Sequence, residues 1–185
     1  MKPINYSLEA FYATFPEYDK RPKEPKKKMS ALDIRIEKTT LAKELEKQYN
    51  LDFGLSQKHE WDAGYDVKAC IAKPIIIKPG ERTIIPTGLK IELLSMQFEI
   101  QCRPRSGLAA KNGITIVNTP GTIDAGYRDE IMVILLNTGD KPFGISPGDR
   151  IAQLCFRAVP SVGIEYVETI SRKNDRGGGF GSSGV

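Results

Sequence analysis

The sequence has few of the residues that build zinc sites and nucleophilic triads. Its 185 residues include a single histidine, His59, and three cysteines. No Cys/His pair has the spacing of zinc ligands, and one histidine argues against a histidine-based triad. The cysteines Cys70, Cys102 and Cys155 lie in apolar, strand-like contexts. They are therefore expected to be small buried core residues in a reducing compartment.

Long apolar runs and a secretory signal are also missing. No stretch approaches the roughly 20 apolar residues of a membrane span, and residues 1–15 have no apolar run behind a basic start. We expect a cytoplasmic protein, or one inside the host cell if its source is viral, and the basic cluster at 20–28 leaves a nuclear location open. The net charge of +4 suits an anionic small molecule as well as nucleic acid.

The two ends of the chain differ in composition from its middle. Residues 1–30 contain a proline-broken, highly charged run, which predicts a solvated, partly disordered extension. The last ten residues are rich in glycine, which on its own predicts a mobile tail. We therefore expect an extension at 1–30, one folded domain at 31–170 with a helical insertion near 40–50, and a flexible arm at 171–185.

Most of the chain has the pattern of short strands punctuated by glycine and proline. Ala31–Lys38 alternates apolar and charged residues, which predicts a half-buried strand, whereas Leu41–Tyr49 has apolar residues at helical spacing. Pro79-Gly80, between strand patterns at 75–85, is typical of a type II turn, and the same device recurs at 145–151. Further strands are predicted at Leu89–Leu94, Phe98–Cys102, Ile114–Asn118, Ile131–Asn137, Ile151–Phe156 and Gly163–Val167. Such a chain is an all-β sandwich, jelly roll or small barrel.

Three segments carry side chains that suit a nucleotide. A short helix is predicted at Ser106–Asn112 with Ser106 as its N-cap and Gly113 just past its end. Arg105 would then lie beside unpaired N–H groups that bind phosphate, although an ordinary capped helix explains the segment equally well.

The second segment, 118–130, can present Asp124 as a base for water and Tyr127 as a wall for a ring. Ordinary turn chemistry with a core tyrosine is the commoner explanation. In the third segment Arg176 can reach a phosphate and Phe180 can stack on a base, whereas a disordered end is the plain alternative.

Five segments, in this order, resemble the five motifs of the trimeric dUTPase family. They are Ala63–Ala69 (AGYDVKA), Pro104–Ala109 (PRSGLA), Gly121–Arg128 (GTIDAGYR), Gly148–Leu154 (GDRIAQL) and Arg176–Gly184 (RGGGFGSSG). One such motif is a weak signal, whereas five in register are highly specific. The resemblance covers the chain from about Ala31 to its end.

The resemblance implies a fold, an activity and an assembly. The fold is a jelly-roll-like β-barrel with one short helix, beside the insertion and the two flexible ends. The activity is that of a dUTP diphosphatase, in which water attacks the α-phosphorus of dUTP to give dUMP and pyrophosphate. This lowers dUTP, which prevents uracil incorporation into DNA, and supplies dUMP for dTMP synthesis. The assembly is a homotrimer whose sites are shared between subunits, with Mg²⁺ held mainly by the triphosphate and water.

The resemblance also implies roles for individual residues. Asp124 would orient the attacking water, Tyr127 would pack under the deoxyribose, and Asn118 would read the uracil edge. Asp66 would lie near Mg²⁺, contacting it through water. Phosphates would be bound by Arg105, Ser106, Gly107 and Gln153. Further substrate contacts are implied for Gly121, Thr122, Ile123 and Met132, and for Arg176, Phe180 and Gly181 of an arm that closes over the site.

Three features depart from the family pattern, and three other functions compete. Asp129 replaces the usual glycine, a helix intervenes at 41–49, and residues 1–30 have no counterpart, so residues 1–58 could bind a protein partner. The related dCTP deaminases share the fold, but Tyr127 and the complete glycine-rich tail favour the triphosphatase. A nucleotide-sensing regulator is the second alternative, although Asp124 argues against an inactive sensor. A nucleic-acid-binding barrel fits poorly, because the basic residues cluster only in the extension.

Overall fold

A computed structural model describes residues 32–175, and these form short strands and two helices. In chain order the elements are β1 (Ile34–Lys38), α1 (Thr40–Tyr49), β2 (Tyr65–Lys68), β3 (Ile75–Ile77), β4 (Arg82–Pro86), β5 (Leu89–Leu93), β6 (Phe98–Arg103), α2 (Ser106–Asn112), β7 (Ile114–Ile116), β8 (Gly121–Ile123), β9 (Met132–Asn137), β10 (Phe143–Ile145) and β11 (Arg150–Ala158). The predicted all-β class is confirmed. Among the described residues, no helix is long and apolar enough to span a membrane.

The strands pair antiparallel in four small sheets around one apolar core. The largest sheet has the order β2-β11-β6-β8, a second has the order β4-β9-β7, and β1 pairs with β5 while β10 pairs with β3. In β5 alternate residues point inward, so that Leu89, Ile91 and Leu93 are buried. The core therefore consists mainly of Ile, Leu and Val contributed by all four sheets.

Helix α1 packs on the barrel through a small apolar cluster of its own. Ala42 and Leu45 are buried together with Phe53 and Cys70. Thr39 caps the helix by accepting a hydrogen bond from the Ala42 N–H at 3.3 Å, and Asn50 ends it in the left-handed conformation. The helix predicted at 41–49 is thus present and is an integral part of the fold.

Two tight turns have the predicted chemistry. Gly80 and Gly148 have φ values of 77° and 82°, and each directly follows a proline. The Glu81 N–H donates to the Lys78 carbonyl at 3.0 Å, and the Asp149 N–H donates to the Ser146 carbonyl at 3.1 Å. The positive φ at the third turn position is what makes glycine suitable there.

Some sequence-based expectations are wrong. The segment 163–167 forms no strand, because within residues 32–175 no strand edge pairs with it. Ser106 is the first residue of α2 rather than its cap; the extended Arg105 is the N-cap and makes no side-chain capping bond. Gly113 does end the helix, with a φ of 67°. The strands β2, β8 and β10 are additional to the predicted ones, because each has only three or four residues and the local pattern is weak.

Candidate active site

A cavity of about 230 Å³ opens where β8 meets the loop that leads into β9. It contains most of the residues expected to contact a nucleoside. The lining residues are Cys102, Ile116, Asn118, Gly121, Thr122, Ile123, Asp124, Tyr127, Ile131, Met132 and Ile134. We call this cavity the nucleoside pocket.

The floor of the nucleoside pocket is built by the pairing of β6 with β8. Gly121 lies opposite Cys102 in the ladder, and a side chain at Gly121 would come within 3.1 Å of the Asn118 amide nitrogen. Glycine at this position therefore leaves room for Asn118. Burial raises the pKa of the Cys102 thiol to about 12, so the thiol is neutral near pH 7 and does not act as a nucleophile.

The loop 124–130 is held by its own hydrogen bonds. The Tyr127 N–H donates to the Asp124 carbonyl at 3.0 Å, and the Tyr127 hydroxyl donates to the Glu130 carbonyl at 3.0 Å. The Arg128 guanidinium donates to the carbonyls of Ala125 and Tyr127 at 2.6 and 2.9 Å. Tyr127 is 39% exposed, so its ring forms a wall of the pocket and does not fill the core.

A second cluster, which we call the arginine cluster, surrounds Asp66 on β2. The Asp66 carboxylate accepts a bond from Arg105 Nε at 3.0 Å on one oxygen and from Arg150 Nη1 at 3.1 Å on the other. Arg105 also donates to the Arg150 carbonyl at 2.9 Å. One carboxylate thus orients two guanidinium groups. This arrangement suits an anion that carries more negative charge than a single carboxylate.

Gln153 lies beside the arginine cluster on β11. Its register partners are Asp66 on β2 and Arg103 on β6, and its side-chain amide donates to the Pro104 carbonyl at 2.8 Å. A side chain at Gly64 would lie 2.2 Å from the Gln153 amide oxygen. The glycine of the first motif is therefore required for close packing against the fourth motif.

The predicted site residues thus fall into two groups within one chain. Asn118, Gly121, Thr122, Ile123, Asp124, Tyr127 and Met132 line the nucleoside pocket, whereas Asp66, Arg105 and Gln153 lie around the arginine cluster. Ser106 and Gly107 are exposed at the start of α2. Arg176, Phe180 and Gly181 lie outside the described residues.

Two residues with contacts to these groups were not singled out from the sequence. Arg150 lies within the fourth motif, where an arginine two residues after a turn glycine is compatible with a solvated surface residue. Glu130 follows the third motif, and its side chain accepts the Gly88 N–H at 2.7 Å. Neither contact is visible in the sequence, because the partners are 84 and 42 positions away.

The arginine cluster limits how Mg²⁺ can contact the chain. Both Asp66 oxygens already accept guanidinium bonds, so the carboxylate fits a contact through water better than direct coordination. Within residues 32–175 no group of three or more His, Cys, Asp or Glu side chains could hold a metal ion. The described residues therefore fit an ion whose ligands come mainly from a bound triphosphate and water.

An antiparallel β-barrel with a small polar pocket and a separate arginine cluster defines an all-β protein suited to a phosphorylated ligand. Comparison with known proteins is more specific. Residues 54–184 match the family model for dUTPase, and the chain belongs to the dUTPase family. This confirms the family, the fold class and the enzyme class, dUTP diphosphatase, that the sequence predicts.

Curated relatives carry the same assignment. The chain is 49% identical over 122 residues to a deoxyuridine 5'-triphosphate nucleotidohydrolase of Syntrophotalea carbinolica, covering 66% of this chain and 82% of the relative. It is 45% identical over 145 residues to the enzyme of that name from Bdellovibrio bacteriovorus, covering 78% of this chain and 97% of the relative.

Solved structures support the fold. The dUTPase of Staphylococcus bacteriophage 80alpha with dUpNHpp superposes with a TM-score of 0.68 at 23% identity, covering 83% of this chain and 99% of that one. A point mutant of the dUTPase from phage phi11 of S. aureus, described with a structural Mg(II) ion, superposes with a TM-score of 0.61 at 19% identity, covering 75% and 98%.

Proposed function

We propose that this chain hydrolyses dUTP to dUMP and pyrophosphate by attack of water on the α-phosphorus. The observation that carries the proposal is the position of Asp124, whose exposed carboxylate lies in the same pocket as Asn118 and Tyr127. A carboxylate in this position can accept a proton from water, or orient it, beside a bound nucleotide. The reaction would lower dUTP, which keeps uracil out of DNA, and would supply dUMP for dTMP synthesis.

Base and sugar selection follow from the pocket walls. Asn118 offers both an amide donor and an amide acceptor, which suit the edge of uracil. A site that pairs a 4-oxo group leaves a buried polar group mismatched against the amino group of cytosine. The Tyr127 ring packs under the deoxyribose and leaves no room for a ribose 2′-hydroxyl. Ile123 and Met132 contribute apolar contacts around the nucleoside.

Phosphate binding belongs to the second group of residues. Arg105, Ser106, Gly107 and Gln153 bind the phosphates, and Asp66 orients Arg105 for that contact. Asp66 would contact Mg²⁺ through water, and the ion, held mainly by the phosphates, would neutralise charge on the triphosphate. The arm residues Arg176, Phe180 and Gly181 close over the site and separate the bound nucleotide and the attacking water from bulk solvent.

Two observations support a homotrimer in which each site combines residues of different copies. The nucleoside pocket lies at β8, and Asp66 lies on β2. These two strands are the opposite edges of one four-stranded sheet, so three interstrand spacings, roughly 14 Å in total, separate the pocket from Asp66. Apolar side chains are exposed beside the pocket, on the outer face of β4-β9-β7 and just after β7. They are Ile84 (59% exposed), Met132 (44%) and Val117 (49%). Adjacent exposed apolar residues are typical of an interface.

The segment that follows β11 also supports assembly. Val162, Ile164, Tyr166 and Ile170 are between 72 and 96% exposed. An alternating apolar segment of this kind, without a partner strand within residues 32–175, suits the surface of a neighbouring copy. The free, buried cysteines agree with an intracellular location, which is part of the proposal. The proposal also includes a protein partner that binds residues 1–58.

The proposal is tested by pyrophosphate release from dUTP, UTP, dCTP and dTTP, with Mg²⁺ and with EDTA. The wild-type protein should act on dUTP alone and lose activity in EDTA. Asp124→Asn should bind dUTP but lose turnover by about 10²-fold or more. Ammonia release from dCTP would favour a deaminase, and binding of dUTP without hydrolysis would favour a sensor. Near-normal turnover by the Asp124→Asn protein would remove Asp124 from its catalytic role.

A further inference from the structure

The loop that carries Tyr127 is joined to the turn between β4 and β5 through one residue, Glu130. Its side-chain Oε1 accepts the Gly88 N–H at 2.7 Å, and its backbone carbonyl accepts the Tyr127 hydroxyl at 3.0 Å. The following N–H, that of Ile131, donates to the Leu89 carbonyl at 2.9 Å. The peptide group that receives the tyrosine hydroxyl is therefore fixed on its other side.

The partner of the Glu130 carboxylate is itself held firmly. Gly88 has a φ of 75°, and a side chain there would lie 2.7 Å from the Ala42 Cβ and 2.9 Å from the Cys70 Sγ. The Gly88 carbonyl accepts the Thr39 N–H at 2.9 Å. Gly88 is thus enclosed by α1, by Cys70 and by Glu130, so its N–H is a fixed donor.

We propose that Glu130 is a positioning residue that sets sugar selectivity by holding the Tyr127 ring in place. A carboxylate that accepts a backbone N–H in a half-buried site forms one of the stronger hydrogen bonds in a protein. When that bond is lost, the Ile131 N–H bond to Leu89 alone holds this peptide group, so the Glu130 carbonyl can shift, and the Tyr127 hydroxyl shifts with it. A shifted ring leaves space for a ribose 2′-hydroxyl. The inference rests on the proposed function, because it assigns Tyr127 the contact with the sugar.

The chain offers variants that separate this role from a general loss of structure. Glu130→Gln keeps an oxygen that can accept the Gly88 N–H, whereas Glu130→Ala removes it. Tyr127→Phe keeps the ring and removes only the hydroxyl that donates to Glu130. Glu92→Ala is a control, because it removes a carboxylate that lies 3.8 Å from the Arg128 guanidinium on the same loop.

The experiment measures kcat and KM for dUTP and for UTP with the full-length variants, together with their thermal unfolding midpoints. Glu130→Ala should lower the ratio of kcat/KM for dUTP over UTP by about tenfold, the effect of one lost buried hydrogen bond. Most of the change should be in KM for dUTP and UTP, and kcat should change little, since Asp124 is retained. Glu130→Gln should restore most of the ratio, and Glu92→Ala should leave it unchanged.

A Glu130→Ala protein that remains active on dUTP with an unchanged ratio would overturn the proposal. If that variant does not fold, Tyr127→Phe decides, because a wild-type ratio for Tyr127→Phe would show that the hydroxyl contact does not set selectivity. Failure of the proposed function is seen separately, as absence of dUTP hydrolysis by the wild-type protein. In that case the same variants are compared by their affinities for dUMP and UMP, with the same expected order.

Discussion

Asp66 accepts hydrogen bonds from two guanidinium groups, and these bonds give it a role in activity other than contact with Mg²⁺. Resemblance to the family suggests a residue near Mg²⁺. The geometry adds a second role, since the carboxylate orients Arg105 and Arg150 at 3.0 and 3.1 Å. Without the carboxylate the two cations would repel each other and would lose their fixed directions.

Replacement of Asp66 by Asn should therefore weaken phosphate binding more than metal dependence. The amide keeps one acceptor but places an N–H donor against the second guanidinium. We expect KM for dUTP to rise by about tenfold or more, with little change in the Mg²⁺ concentration that gives half-maximal activity. Steady-state kinetics at several Mg²⁺ concentrations measures both quantities.

Asp140→Asn is a suitable control, because it removes the same charge from a residue that is exposed in the loop between β9 and β10. An Asp66→Asn protein with normal KM and a higher Mg²⁺ requirement would show that the metal contact is the main role of Asp66.

At the level of elements, α1 was predicted from sequence but its attachment was not. The 3.6-residue period identifies the helix, whereas its burial depends on Phe53 and Cys70, which no local pattern connects to it. Lys38 strengthens the attachment, because its ammonium group lies 3.0 Å from the Asp52 carboxylate and also contacts Glu46. The Glu46 carboxylate accepts the Phe53 N–H at 2.7 Å.

Leu45→Ala and Leu41→Ala make the same chemical change at a buried and at an exposed position of α1. Leu45 is 3% exposed and Leu41 is 36% exposed. Leu45→Ala should lower the free energy of unfolding by about 2–4 kcal/mol, and Leu41→Ala by about 1 kcal/mol or less. Chemical denaturation monitored by circular dichroism measures both. Equal effects of the two substitutions would mean that α1 is not packed as described.

The glycine-rich arm gives a prediction for the other end of the chain. Truncation after Asp175 should leave the folded barrel intact, since the described core ends before it. Hydrolysis of dUTP should fall by about 10²-fold or more, because a closing arm excludes bulk solvent and orients the phosphates. The unfolding midpoint and kcat/KM measure the two effects. A truncated protein that remains fully active would remove the arm from the catalytic site.

The sequence predicts elements and motifs better than it predicts contacts. The turns at Gly80 and Gly148 were predictable, because a proline followed by a glycine needs only local geometry. The sequence predicts the N-cap of α2 one residue too late, because serine is a common cap and arginine is not. The segment 163–167 has strand composition but no partner within residues 32–175, and pairing is not encoded locally. The sequence does not predict the contacts of Arg150 and Glu130 for the same reason, since each joins distant parts of the chain.

At the scale of the whole molecule, the two halves of the proposed site lie apart from each other within a single chain. The nucleoside pocket lies at the β8 edge of the largest sheet, and the arginine cluster lies at the β2 edge. Apolar side chains on the outer face of β4-β9-β7 are exposed beside the pocket. Assembly would cover this face and bring the arginines of one copy to the pocket of another. The central claim is therefore that each site needs two different copies.

Mixed oligomers of Asp124→Asn and Arg105→Ala chains test this claim most directly. Each variant alone should be nearly inactive on dUTP. Co-expression with two different affinity tags yields oligomers that contain both chains. If sites are shared, about one site in three of each mixed trimer should combine an intact Asp124 with an intact Arg105, and activity should return to that extent. Mixed oligomers that form and stay inactive would show that Asp124 and Arg105 must act from the same chain.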